Sequence, residues 1–243
     1  MATISNYENP GAPARNDVWR MFDRIAHRYD LLNRVLSMRQ DVAWRRRLAS
    51  MLPERDDLRV LDLATGTGDV LLALRAGCAR VRSGVGMDMA GKMLELGKEK
   101  FEDKGQASAL QMVRGDAMRI AAADESFDVV TISFGIRNVF DVGVALREMH
   151  RVLKPGGRVL ILEFSLPPNA LLRWGYLLYF RNVLPRIGGL VSGDSHAYRY
   201  LNRTVETFPY GDAFCDLMRD AGFANVATTL LTFGIATIYR GDK

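Results

Sequence analysis

The sequence predicts an α/β fold: a mostly parallel seven-stranded sheet with an antiparallel last strand, a helical N-terminal cap, and a helical insertion before the last two strands. Three observations predict it. A short apolar run, Val60, Leu61 and Leu63, stops at the turn 64–68, and apolar spacing resumes at Val70, Leu71, Leu72 and Leu74, which reads as strand, tight turn, helix. Strand-like and helix-like runs then alternate as far as Phe164, the pattern of a parallel sheet covered by helices on both faces. Near the end, 224–231 and 235–239 are strand-like and are split only by Thr232, Phe233 and Gly234, short enough for a hairpin.

Residues 1–16, with Pro10, Gly11 and Pro13, show no apolar period and are expected to form a flexible N-terminus; 17–243 read as one domain. Its first part, 17–57, is the helical cap. Val18, Phe22, Ile25 and Tyr29 recur at helical spacing, and 41–52 places Trp44, Leu48 and Met51 on one side before Pro53 ends the helix. Polar groups interrupt the pattern at YDLLNRVLS, 29–37. A joint between two helices is one reading; a cap that turns Tyr29 and Asn33 toward a cleft is the other. Strands are expected at 60–63, 83–87, 109–113, 127–133 and 158–164, with a helix in each crossover, and a turn at 154–157. Residues 166–209 break this rhythm. They form either a packed helical excursion or a substrate lid, whose Leu and aromatic content suits a hydrophobic substrate.

A chain of 243 residues can bury roughly 70–75% of its unfolded surface in one large domain. Lys plus Arg exceeds Asp plus Glu by 33 − 28 = 5, a mild and unclustered excess, so no nucleic-acid partner is expected. Cys78 and Cys215 are far apart and form no metal-ligand pattern; no metal is expected, and a reducing compartment fits. There is no charged-then-apolar leader, nor a run of about 18 apolar residues. The expected location is cytoplasmic, at most peripheral on the inner face of a membrane.

The glycine turn carries the first chemical signal. Gly66 and Gly68 let the backbone approach a ligand, and the helix that follows offers free N–H groups. A dinucleotide fingerprint would place its third glycine at 71, which is Leu71. Asp62, at the strand end, would oppose a pyrophosphate and suits a ligand carrying an ammonium and a sulfonium. This turn resembles the first motif of the class I S-adenosylmethionine-dependent methyltransferases. Asp88 ends the second strand at the spacing from Gly68 that brings a carboxylate to ribose hydroxyls, and Met89 lies either beside the adenine or in the core. Asp116 follows the third strand, in place for an adenine amine. Three acidic residues at successive strand ends describe a cleft.

Longer stretches narrow the class. TISFGIRNV, 131–139, lacks the proline-aromatic motif of many amino-methylating enzymes. Together with RVLKPGGRVLILEFS (151–165), YDLLNRVLS followed by Trp44, and LPRIGGLVSGDSHAYRYL, it resembles the ubiquinone/menaquinone biosynthesis C-methyltransferases over about residues 18–240. Leu32 stands where that family usually has methionine, and Asp41 where it usually has histidine. The resemblance implies cofactor contacts from Thr67, Asp88, Asp116, Ala117 and Ser133. It implies methylation of a polyprenyl hydroquinone on a ring carbon, demethylmenaquinol or a ubiquinone precursor. A long prenyl tail cannot fit inside a domain of this size, so peripheral membrane contact is expected, and the sequence leaves a homodimer open. The resemblance also places Arg137 and Asn138 near the substrate ring. Arg137 is then expected to stabilise the phenolate, with Asn138 and Tyr29 holding a water that takes the proton, because an arginine does not readily give up its own. His27, His150 and His196 are read as structural.

Overall fold

The computed structural model describes residues 17–183 and 195–243; the expected N-terminal tail and residues 184–194 of the insertion lie outside them. The cap is two helices, α1 (Val18–Leu36) and α2 (Gln40–Ala49). The alternating part follows as β1 (Leu58–Leu63), α3 (Asp69–Gly77), β2 (Val81–Asp88), α4 (Gly91–Asp103), β3 (Leu110–Arg114), β4 (Phe127–Ser133), α5 (Val142–Val152) and β5 (Leu153–Phe164). The insertion contains α6 (Ala170–Leu178), a π-helical turn (Tyr179–Val183) and α7 (Ser195–Thr207). The chain closes with α8 (Asp212–Asp220), β6 (Ala224–Leu231) and β7 (Ala236–Asp242).

The seven strands lie in the order β3-β2-β1-β4-β5-β7-β6. β1 to β5 are parallel, and β7 is antiparallel to both its neighbours, as the closing hairpin requires. Strand alternation splits the core in two. Leu61, Leu63, Val130 and Ile132 face α5 and α8, whereas Val60, Val129 and Leu160 face α2, α3 and α4. Leu63 is level with Met87 of β2 and Ile132 of β4, so the turns after these strands emerge at one edge.

Two expectations need correction. No helix joins β3 to β4: residues 115–126 cross as a loop. Arg151 holds that loop by donating to the carbonyls of Ile120 (2.9 Å) and Ala122 (2.9 Å), while Glu148 accepts from Ile120 N–H at 2.9 Å. A helix is dispensable because α5 fastens the loop with side chains. The turn expected at 154–157 is absorbed into β5 as an irregularity: Leu153 pairs with Phe127, and the ladder resumes at Arg158 opposite Val129. Gly156, at φ +71°, takes the left-handed bend.

The third-glycine question also resolves in packing. Leu71 is fully buried, and an added Cβ at Gly84 of β2 would lie 2.8 Å from it. Here the glycine stands on the strand and the leucine on the helix, the reverse of the dinucleotide arrangement.

Candidate active site

Chain order moves from β1 to β2 and β3 on one side and to β4 and β5 on the other, so a crevice opens beyond the carboxyl ends of β1 and β4. A cavity of about 390 Å³ occupies it, within the range of roughly 300–1,000 Å³ typical of small-molecule sites. Its floor is made by Ala64, Gly66, Ser133 and Gly135, and one wall by Asp88, Met89, Asp116 and Ala117. Trp19 and Phe22 of α1 roof it. Two floor residues hold left-handed backbone without being glycine, Ala64 (φ 47°) and Phe134 (φ 56°). The close approach explains Gly135, whose added Cβ would stand 2.5 Å from that of Ala64.

Two of the wall residues are fixed before any ligand arrives. Asp88 accepts from Gly66 N–H at 2.8 Å and Ala90 N–H at 2.9 Å. Burial raises its pKa above the usual carboxylate range, against the pull of those N–H groups. Asp116 accepts from Met118 N–H at 2.9 Å. On the cavity floor, Ser133 has a buried hydroxyl with no partner among the described residues. An orphaned hydroxyl there fits a polar ligand group. Met89 is exposed and lines the cavity, so the adenine-side reading fits it and the core reading does not.

Other expected residues sit behind the wall. Asp62 is buried and does not line the cavity; it accepts from Thr65 Oγ1 (2.6 Å) and from Thr131 Oγ1 (2.5 Å), its level neighbour on β4. Burial pushes its pKa up to about 7. Gly68 is also behind the wall: at φ +78° it starts α3, and an added Cβ would meet Met112 at 2.5 Å and Phe101 at 2.6 Å. Its glycine serves core packing beneath the turn, not approach to a ligand.

Thr67 faces the cap. Its hydroxyl donates to Asp30 Oδ1 of α1 (2.7 Å) and accepts from Lys100 Nζ of α4 (2.8 Å). The same ammonium donates to Asp30 Oδ2 (2.6 Å) and Asp69 Oδ1 (2.8 Å), so its three protons tie α1, the glycine turn and α3 to α4. Asp69 is half-buried, which would raise its pKa, but Lys100 and Arg45 outweigh that desolvation and hold it below the usual range. Arg45 continues the network to Asp41 at 2.5 Å. The residue that departs from the family's histidine is thus an ion-pair partner inside the cap.

Arg137 is displaced from its expected place. It is buried outside the cavity, donating to Glu163 Oε1 (2.6 Å) and to the Phe134 carbonyl (2.6 Å), with its guanidinium 5.4 Å from the Phe164 ring centre. A guanidinium neutralised in this way braces the turn 134–138 and is not aimed at a phenolate. Burial raises the pKa of Glu163 despite the opposing charge of Arg137. Asn138 does line the cavity, and its Oδ1 accepts from Tyr200 of α7 at 3.1 Å. Tyr29 lies in α1, but its side chain, like those of Asn33 and His196, is outside the described residues. His150 packs edge-on against Phe223, away from the cavity, and burial lowers its pKa.

Sequence reasoning missed Trp19, Phe22, Lys100 and Tyr200. Phe22 had a helical period that reads as core. Trp19 had a further sign only in space, the Arg114 guanidinium lying 5.4 Å from its ring centre.

The geometry agrees with comparisons to known proteins. The profile of the ubiE/COQ5 methyltransferase family matches residues 12–243. The chain is 49% identical over 226 residues, 93% of its length and 96% of the relative, to the ubiquinone/menaquinone biosynthesis C-methyltransferase UbiE of Geotalea daltonii. It is 48% identical to the demethylmenaquinone methyltransferase of Thermus thermophilus, covering 92% of this chain and all of that one. Among solved structures, a SAM-dependent methyltransferase from Thermotoga maritima superposes with TM-score 0.64 at 22% identity, over 93% of this chain and 99% of the other. The fold is that of the class I S-adenosylmethionine-dependent methyltransferases, and the chain belongs to the ubiE/COQ5 methyltransferase family.

Proposed function

We propose that this enzyme transfers a methyl group from S-adenosylmethionine to a ring carbon of a polyprenyl hydroquinone, converting demethylmenaquinol to menaquinol. The observation that carries the reading is the cavity at the β1/β4 crevice, with Asp88 and Asp116 fixed on one wall and the orphaned Ser133 hydroxyl on its floor. Those groups suit the ribose, adenine and amino-acid parts of the donor, and Gly66, Met89 and Ala117 line the same cavity, while Thr67 ties the glycine turn to the cap. Asp62 supports that turn from below. When bound, the donor supplies an electrophilic methyl on a sulfonium that needs no acid to leave.

The chain's own residues then have three tasks: align the acceptor ring, assist loss of a phenol proton, and exclude water. Alignment contributes roughly 7–11 kcal/mol to such reactions, whereas a general base gives about 10²- to 10⁴-fold, so positioning dominates. Asn138, held by Tyr200, is the group we assign to the acceptor hydroxyl or to a water that takes its proton; Tyr29 is assigned to the same water. Arg137 acts through Glu163 as a positioning residue. The roof of α1 and the α7 part of the insertion serve as the lid over the acceptor.

The test is incubation with labelled S-adenosylmethionine and, separately, demethylmenaquinol and the demethylated ubiquinol precursor, followed by product mass. Transfer to ring carbon of the first supports the proposal. Label appearing only on the second, on oxygen, or on neither would overturn it.

A further inference from the structure

Every exposed large apolar side chain among the described residues lies at the carboxyl edge of the parallel strands, where the cavity opens. Met89 and Phe140 follow β2 and β4 and line the cavity itself. Met38 occupies the α1–α2 turn, which is tied to the same edge because Thr232 Oγ1 donates to Gln40 Oε1 at 3.2 Å. Phe233, 78% exposed, tips the β6–β7 turn, and Leu230 precedes it on β6. The opposite edge differs: its described turns expose Glu54, Arg55, Asp56, Asp57 and Arg80, and no large apolar residue.

The centre of the apolar edge is α6. Leu171, Trp174 and Leu178, at spacing i, i+3, i+7, form one stripe that is 75%, 65% and 51% exposed. The opposite side of the segment is committed to the protein: Tyr176 stacks on Phe180, which packs with Val205 of α7. The helix is also held in place. Arg173 donates to the carbonyls of Pro167 and Pro168, and Pro168 fills the space where a Cβ at Gly234 would sit, 2.7 Å away. The exposed stripe is therefore a fixed surface beside the Phe233 turn.

Charge selects the occupant. From 164 to 193 the sequence has no Asp or Glu and carries Arg173 on α6 itself; Arg181 follows it, paired with Glu206 of α7, and Arg39 flanks Met38. An apolar helical face with a tryptophan and only positive charge is suited to the interface of an anionic lipid bilayer. α6 spans only nine residues, and no helix among the described residues is long and apolar enough to cross a membrane. We infer that this edge docks on an anionic bilayer, with α6 lying in the headgroup plane and the cavity mouth facing the lipid from which the acceptor ring enters. The inference rests on the proposed polyprenyl acceptor and deepens it by naming the surface.

The test compares the full chain with the triple variant Leu171→Glu, Trp174→Glu, Leu178→Glu on vesicles of phosphatidylglycerol and phosphatidylcholine and on phosphatidylcholine alone. Wild type is expected to co-float with the anionic vesicles, and the variant to lose about tenfold or more of that binding. Bromolipid should quench wild type more than Trp174→Phe. Methylation of a tail-less demethylated quinol in solution, equal in wild type and triple variant, reports that site and fold are intact. A wild type that methylates the tail-less quinol but stays off anionic vesicles overturns the docking, as does a triple variant that floats like wild type. If sedimentation shows a wild-type dimer that the variant loses, with vesicle binding unchanged, the face belongs to a second copy and the inference also fails. Vesicle binding that needs the stripe, without turnover on any quinol, would sustain the docking and count against the proposed acceptor.

Discussion

Asp62 shows how one side chain changes meaning once its neighbours are known. At a strand end before a glycine turn it suits a cationic ligand, yet both its oxygens are spent on Thr65 and Thr131. Substitution by Asn is therefore expected to weaken S-adenosylmethionine and S-adenosylhomocysteine equally by calorimetry; a selective loss of the sulfonium ligand would return the carboxylate to the cavity. Its pH signature is separate. The folded pKa, about 7, lies above the reference value of 3.8. The stabilisation is thus complete below about pH 4 and lost as pH rises through 7, because the native state holds the proton longer. Thermal melts from pH 5 to 8 should show wild type losing stability relative to Asp62→Asn steadily from pH 5 to about 7 and levelling off above it. Gly68 gives a second expectation. Gly68→Ala combines a left-handed backbone with overlap against Phe101 and Met112, and should cost about 2–4 kcal/mol in urea unfolding. Arg137→Ala would leave Glu163 buried and unpaired, a change worth roughly 3–5 kcal/mol. Adding Glu163→Leu should recover part of it, which a role confined to phenolate stabilisation would not give.

Helices and loops meet the site through a few polar clamps. Lys100 anchors α1, the glycine turn and α3 at once, and is only partly exposed. Lys100→Met should release the roof that Trp19 and Phe22 form, raising the Kd for S-adenosylhomocysteine by about tenfold, the equivalent of roughly 1.4 kcal/mol. Unchanged affinity would show that α1 is held by its apolar contacts alone. These clamps were not legible in the chain because they join residues far apart: Asp30 to Lys100, Gln40 to Thr232, Arg151 to the 115–126 loop. By contrast, apolar period found the strands, and the central one, 127–133, with its observed bounds. The missing crossover helix was a failure of analogy, since nothing in 115–126 carries a helical period and only α5 explains how a loop suffices.

Across the whole molecule, binding at the crevice links the two core clusters, because the cavity floor is formed by ends of strands that face both. A ligand at 100 times its Kd adds about 2.7 kcal/mol, which for a chain of this size corresponds to roughly 5–11 °C in Tm. S-adenosylhomocysteine should produce that shift and NAD none; a comparable shift with NAD would contradict the class. The same edge that holds the cavity collects the exposed apolar residues, so cofactor access and surface character share one end of the sheet.

The sequence alone determined the sheet's parallel body, its closing hairpin, the acidic strand ends Asp88 and Asp116, and the family, since each depends on local period, turn chemistry or continuous motifs. It did not determine which of the marked residues reach the cavity. Asp62, Gly68, Thr67 and Arg137 share the motifs with Gly66, Asp88, Ser133 and Asn138, but they turn toward hydroxyls, the core, the cap and a buried carboxylate. Only packing in three dimensions separates these groups. A side chain's direction at a strand end depends on partners that the turn, the next strand and the cap bring together from remote parts of the chain.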